Sequence, residues 1–171
     1  MLKLFCPNMY VSSIYSIHPE DLVNKNIKGI IIDLDNTLVP WDEKEPNENL
    51  MDWFESIFDK GIKFCMVSNN KEHRVKLFAD SLSIPYIFDA VKPRKKAFLR
   101  GIKILGTNPS NTAVIGDQIL TDILGGNRMG AFTILVKPMS SQEFWWTRLM
   151  RKIEKNIISI LIKKGLLEKP E

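Results

Sequence analysis

Apolar residues along this chain gather into short unbroken runs separated by longer mixed stretches, and the two textures alternate. The runs are GIIID (29–33), IKFCMVS (62–68), TAVIGD (112–117) and AFTILV (131–136). Runs of this length without polar alternation read as strands covered on both faces. The mixed stretches predict helices over 48–60, 72–83, 94–105 and 121–129. Leu50, Trp53, Phe54 and Ile57 recur at helical spacing in the first, and Val75, Phe78, Ala79 and Leu82 do so in the second. Gly61, Gly106 and Gly130 fall where helices should stop, suiting a left-handed cap. The segment IPYIFDAVKP (84–93) adds a short strand over 86–88 and a turn at Lys92-Pro93. Strand and helix in strict succession predict an α/β fold: a doubly wound, Rossmann-like parallel sheet with helices on both faces and right-handed crossovers. No internal repeat or low-complexity linker interrupts it.

At 171 residues the chain fits one globular domain. We place that domain, with an N-terminal extension, at 1–140, and a basic, aromatic helical tail at 141–171. Charge separates the two: of a net +4, the tail's seven Lys/Arg against four Glu supply +3. Phe144, Trp145, Trp146 and Leu149 stand there among Arg148, Arg151, Lys152 and Lys155, and 157–162 continue the apolar pattern before Lys163 and Lys164. Such a helix suits docking on its own core or contact with an anionic membrane, and different faces can serve both. Basic charge also suits RNA or the ribosome. Cys6 and Cys65 are too few for a disulfide framework or a four-ligand zinc site. No leader pattern opens the chain, and no apolar run approaches the ~18 residues of a membrane span. The expected setting is cytoplasmic, extending to the inner face of the membrane as a peripheral site.

In an open α/β sheet, ligands bind beyond the carboxyl ends of the strands. There the chain offers Asp33, Asp35, Asn36 and Thr37 after the first run, and Ser68, Asn69 and Asn70 after the second. Lys92 follows, then Gly116, Asp117 and Asp122 after the third. Phosphoryl transfer from an ester needs a nucleophile, cancellation of negative charge and a proton for the leaving alkoxide. A carboxylate nucleophile splits hydrolysis into two steps, and repulsion between it and the phosphate calls for a hard cation such as Mg²⁺. Asp117 and Asp122 suit that cation. Lys92, the Ser68 hydroxyl and the Asn69 backbone N–H suit the phosphate, and Asp35 suits the proton. Each residue also has a structural reading: Asp122, Ser68 and Asn70 as helix caps, Lys92 as a surface lysine, Gly116 as a turn. His18 and His73 match no part of this chemistry and read as surface or cap residues.

DLDNT (33–37), VSNN (67–70), VKP (91–93) and GDQILTD (116–122) resemble, in order and spacing, the four motifs of the haloacid dehalogenase (HAD) phosphohydrolases. The resemblance spans about residues 28–136. It implies an HAD-like fold, with Asp33 as an aspartyl-phosphate nucleophile and Asp35 as general acid and base, its backbone carbonyl reaching the metal. It further implies that Thr37 braces the loop, Ser68 and Lys92 hold phosphate, with Lys95 as an alternative to Lys92, and Asp117 and Asp122 complete an Mg²⁺ site. About thirty residues separate Asp35 from Ser68, and fewer separate Ser68 from Lys92. Neither interval holds an inserted cap domain, so the chain resembles the uncapped subclass IIIA. An open site favours a large phosphate ester: a lipid head group, a phosphoprotein or a nucleic-acid end. A small sugar phosphate would fit if subunits cap one another. The flanks resemble the YqeG-type branch, similar to phosphatidylglycerophosphate phosphatases. The competing readings are a phosphoprotein or nucleic-acid phosphatase, and an RNA- or ribosome-associated factor whose active site is secondary.

Overall fold

The computed structural model describes residues 2–140 and 145–170, the side chains of 145–148 excepted. Among the described residues six strands form one sheet: β1 (Met9–Val11), β2 (Gly29–Ile32), β3 (Lys63–Val67), β4 (Tyr86–Ile87), β5 (Thr112–Gly116) and β6 (Phe132–Val136). Their order is β1-β6-β5-β2-β3-β4, and every neighbouring pair is parallel. The helices are α1 (Pro19–Asn24), α2 (Glu48–Phe58), α3 (Glu72–Ser81), α4 (Lys95–Leu105), α5 (Leu124–Met129) and α6 (Trp145–Lys163).

Successive side chains on a strand point to opposite faces, so a strand covered twice must be apolar at every position. Ile30, Ile32, Phe64, Met66 and Ile115 pack on one face with Leu50, Trp53, Phe54 and Ile57 of α2 and Val75 and Phe78 of α3. Ile31, Cys65, Val67 and Val114 meet Ala97, Phe98 and Ile102 of α4 on the other. The Phe54 and Phe64 rings lie 4.3 Å apart, and Trp53 Nε1 donates to the Ile17 carbonyl at 3.2 Å, tying α2 to the N-terminal extension.

From β2 the chain winds outward through β3 and β4, then returns to place β5 and β6 on the opposite side of β2. The loops after β2 and β5 therefore part company, which opens a crevice at their carboxyl ends. The interval from Asp35 to Ser68 holds α2 and the interval from Ser68 to Lys92 holds α3, and neither contains a cap insertion.

The sequence pattern differs from the structure at several places. β1 pairs with β6 at the sheet edge, Tyr10 opposite Leu135, and its three half-buried residues make an apolar run too short to announce a strand. The stretch expected as one helix over 121–129 is a π-helical turn, Ile119–Ile123, followed by α5. Gly106 and Gly130 take the left-handed C-cap conformation, whereas Gly61, at φ +73°, lies beyond the end of α2. Part of the tail docks: Ile157 and Ile158 of α6 pack on Ile119, Ile123 and Leu135, and Leu161 is fully buried. Phe144, and the side chains of Trp145, Trp146 and Arg148, lie outside the described residues.

Candidate active site

Asp33 N–H donates to the Ile115 carbonyl at 3.0 Å, extending the β2–β5 ladder one residue beyond the last strand position. The chain then turns sharply. Leu38 N–H reaches the Leu34 carbonyl at 2.9 Å, Asn36 N–H reaches the Val39 carbonyl at 2.7 Å, and Asn36 adopts φ 63°. This turn ends the alternation that would have aimed Asp35 beside Asp33. Asp35 instead meets α3: its Oδ1 accepts from Arg74 Nε at 3.1 Å and Nη2 at 2.9 Å, and its Oδ2 accepts from Asn70 Nδ2 at 2.9 Å. Thr37, buried in the same turn, aims its hydroxyl at Asp117 Oδ1 across 3.4 Å.

Lys92 stands at the centre. Its Nζ donates to Asp33 Oδ1 and to Asp122 Oδ1, each at 2.7 Å, while Lys95 and Lys96 are exposed. The loop that delivers it is pinned at several points. Asn69 Oδ1 accepts from Lys92 N–H at 2.7 Å, Ser68 carbonyl accepts from Ala90 N–H at 3.0 Å, and the Lys92-Pro93 peptide is cis. Val91 takes φ 53°, which a β-branched residue resists. Ser68 is buried, with its Oγ accepting from Asn70 N–H at 3.1 Å. Asp122 does not cap the helix that follows it: its Oδ2 accepts from Gln118 N–H at 3.2 Å, four residues upstream. Its carboxylate lies so close to β5 that a Cβ on Gly116 would fall 2.2 Å from its Cγ.

Two partners escaped sequence reasoning. Arg74 occupies the first turn of α3, where the helix dipole disfavours a cation unless a carboxylate compensates, and that conflict is its signal. Arg151 of α6 donates through Nη1 to the Asp117 carbonyl at 2.7 Å and through Nη2 to Asp117 Oδ2. Glu154 backs it, with Oε2 3.1 Å from Arg151 Nη1 and Oε1 accepting from Leu120 N–H at 3.0 Å. Glu154 shares one helix face with Ile157, Ile158 and Leu161, and an acid in such a stripe needs a buried partner.

Asp33, Asp117 and Asp122 are buried and bring one carboxylate oxygen each within 4.8 Å of one another. Burial, with Asp122 nearby, pushes the Asp33 carboxyl up to about 7 against the pull of Lys92. Asp117 is driven well above the ordinary carboxylate range by burial and by Asp33 and Asp122, with Arg151 opposing. Burial works against the Lys92 ammonium, but Asp122 and Asp33 outweigh it and hold the amine protonated beyond its usual value. Three hard oxygen donors crowded in a desolvated pocket fit a divalent cation, whose charge would relieve that crowding.

The family model described as HAD-hydrolase-like matches residues 90–143, the segment carrying Lys92, Asp117 and Asp122. The chain is 48% identical to the probable phosphatase YqeG of Bacillus subtilis, over 97% of its own length and 96% of that protein. It belongs to the YqeG-type branch of the HAD phosphatases. Within that branch's wider kin, the phosphatase is 30% identical to the mitochondrial phosphatidylglycerophosphatase of Saccharomyces cerevisiae, over 67% of this chain and 69% of that one. It is 26% identical to phosphatidylglycerophosphate phosphatase 1 of Arabidopsis thaliana, spanning about half (49%) of that protein's length. Its fold matches the cobalt-bound deoxy-D-mannose-octulosonate 8-phosphate phosphatase of Haemophilus influenzae at a TM-score of 0.54 and 15% identity, over 85% of this chain and 95% of that one.

Proposed function

We propose that this phosphatase is an Mg²⁺-dependent phosphomonoesterase that works through an aspartyl phosphate on Asp33. The observation that carries the reading is the convergence of Asp33, Lys92, Asp117 and Asp122 from three separate loops onto one buried cluster at the β2–β5 crevice. Asp33 attacks phosphorus as its P–O ester bond breaks, and the leaving alkoxide takes a proton from the Asp35 carboxylic acid. Water then attacks the acyl phosphate, returns a proton to Asp35 and frees inorganic phosphate and the Asp33 carboxylate. To do this Asp35 exchanges Arg74 for the reacting oxygen. Lys92, the Ser68 hydroxyl and the Asn69 N–H face the phosphate oxygens as charge develops on them. Asp33, Asp117, Asp122 and the Asp35 carbonyl would hold the cation, which supplies Lewis-acid charge neutralisation when bound. Asp33→Asn is expected to lower turnover of an aryl phosphate by at least ~10³-fold, in the range lost when a key catalytic group is removed; undiminished turnover would sink the mechanism.

For the substrate we infer phosphatidylglycerophosphate, met at an anionic membrane surface. Supporting this are the names of the yeast and plant relatives, the lack of a cap insertion, and the outer face of α6. That face exposes Leu149, Ile153 and Ile160 beside the exposed Lys152, Lys155 and Lys163. Among the described residues no helix is long and apolar enough to cross a membrane, so contact would be peripheral. The test is phosphate release from phosphatidylglycerophosphate vesicles against nucleotides, phosphopeptides, nucleic-acid ends and sugar phosphates. Faster release from the lipid supports the reading. Preference for a phosphopeptide or nucleic-acid end would replace it, and salt-dependent RNA binding that survives Asp33→Asn would favour an RNA- or ribosome-associated role.

A further inference from the structure

Among the described residues, the tail helix reaches the site through the side chains of Arg151 and Glu154, and docking alone does not explain the way they do so. Docking is served further along by Ile157, Ile158 and Leu161. Burying an ion pair in place of such residues commonly adds nothing to stability, because desolvation offsets the Coulomb gain. Yet Glu154 is only 4% exposed, and the side chains of Arg151 and Asp117 are 12% and 0% exposed.

The geometry is a two-point grip. One guanidinium nitrogen takes the Asp117 backbone carbonyl at 2.7 Å and the other takes the same residue's Oδ2, so both the main chain and the rotamer of Asp117 are fixed. Glu154 fixes the guanidinium in turn through Oε2 at 3.1 Å, and its Oε1 anchors on Leu120 N–H at 3.0 Å, inside the π-helical turn that carries Asp122. Thr37 faces the second Asp117 oxygen at 3.4 Å. The β2 loop and α6 thus meet on the Asp117 carboxylate at the end of β5, and Glu154 ties α6 to the π turn beside it.

We propose that Arg151 is a positioning residue for the cation site: α6 completes the site by holding Asp117 in its ligating orientation, with Glu154 as the brace. The proposal rests on the reading of Asp117 as a cation ligand. A carboxylate that ligates a metal is ordinarily hydrogen-bonded from outside, and removing such a partner typically costs ~10- to 100-fold in metal affinity. Coulomb's law pulls the other way, since deleting a positive charge beside a cation site should tighten cation binding. The sign of the change therefore separates an orienting arginine from a mere counter-charge.

The measurement is Mn²⁺ affinity of the full chain, read from the electron paramagnetic resonance signal of free Mn²⁺, with circular dichroism confirming that each variant is folded. Arg151→Gln is expected to weaken Mn²⁺ binding by ~10- to 100-fold. Arg151→Lys, which keeps the charge but not the planar fork, is expected to weaken it as well, by a smaller factor. Glu154→Gln keeps an acceptor for Leu120 N–H and loses the charge that braces Arg151, so it should weaken binding while α6 stays docked. Arg151→Gln binding Mn²⁺ as tightly as the parent, or more tightly, would overturn the proposal. Should Arg151→Gln fail to fold, unchanged affinity in folded Glu154→Gln would overturn it. A parent protein that binds no Mn²⁺ would overturn the cation reading and this one with it.

Discussion

Gly116 and Asp122 meet more closely than any other residue type at position 116 would allow. A methyl group there would overlap the Asp122 carboxylate, with its Cβ 2.4 Å from Oδ2, so Gly116→Ala must displace the group that shares Lys92 with Asp33. Overpacking of this kind costs roughly 1–3 kcal/mol. A displacement near 1 Å at a reacting site can cost on the order of 10²-fold in rate. Gly116→Ala is therefore expected to lose activity far beyond its loss of stability, checked by turnover and thermal melting on one preparation; a variant with parental turnover would show that Asp122 and Lys92 need not sit where they do. At this scale the sequence was informative about polar groups that follow strand ends, Asp33, Lys92, Asp117 and Asp122, which the structure gathers into one cluster. It was silent where a contact joins distant segments: nothing separates Arg151 from the tail's six other basic residues until α6 is folded against Asp117. Asn69 is intermediate, since its place after β3 was legible but the pinning of Lys92 by its side chain was not.

At the scale of elements, the central strands were legible because they are buried on both faces, and α2 and α3 because their apolar residues recur every three or four positions. β1 was not, because three half-exposed residues at a sheet edge leave no pattern. The π turn was hidden since its distortion serves Asp122 and Leu120 rather than local propensity. Cys65 gives a probe for the buried set. It lies on β3 under α4, and burial pushes its thiol from an ordinary 9.0 up to about 12, with Arg100 opposing slightly. Below about pH 9 the thiol is protonated whether the chain is folded or not. Above that the unfolded chain ionises it and the folded chain does not, so this group's contribution to stability is lost as pH climbs from 9 toward 12. At pH 8 Cys65 should resist iodoacetamide in the native protein, while the half-buried Cys6 reacts ahead of it. Equal labelling rates for the two would mean that β3 and α4 separate readily.

For the molecule as a whole, the buried ionisable groups are mostly acidic. Among the described residues the buried carboxylates are Asp33, Asp117, Asp122 and Glu154, and the cations paired with them are Lys92 and Arg151. Fully ionised, these carboxylates would exceed the cations by two negative charges, a state that burial of Asp33 and Asp117 opposes and that one divalent cation would match, at the place where the β2 loop, the end of β5, the π turn and α6 converge. A cation bound there ties those elements together in the folded state and finds no such site in the unfolded chain. At a free concentration about 100 times its dissociation constant, a ligand of the folded state alone adds ~2.7 kcal/mol. In a chain of this size each kcal/mol moves the melting midpoint by roughly 2–4 °C. Saturating Mg²⁺ is thus expected to raise the midpoint by about 5 to 10 °C, a chelator to reverse the gain, and Asp117→Asn to abolish it. An equal Mg²⁺ shift in the parent and in Asp117→Asn would place the cation elsewhere on the molecule and separate the acidic cluster from metal binding.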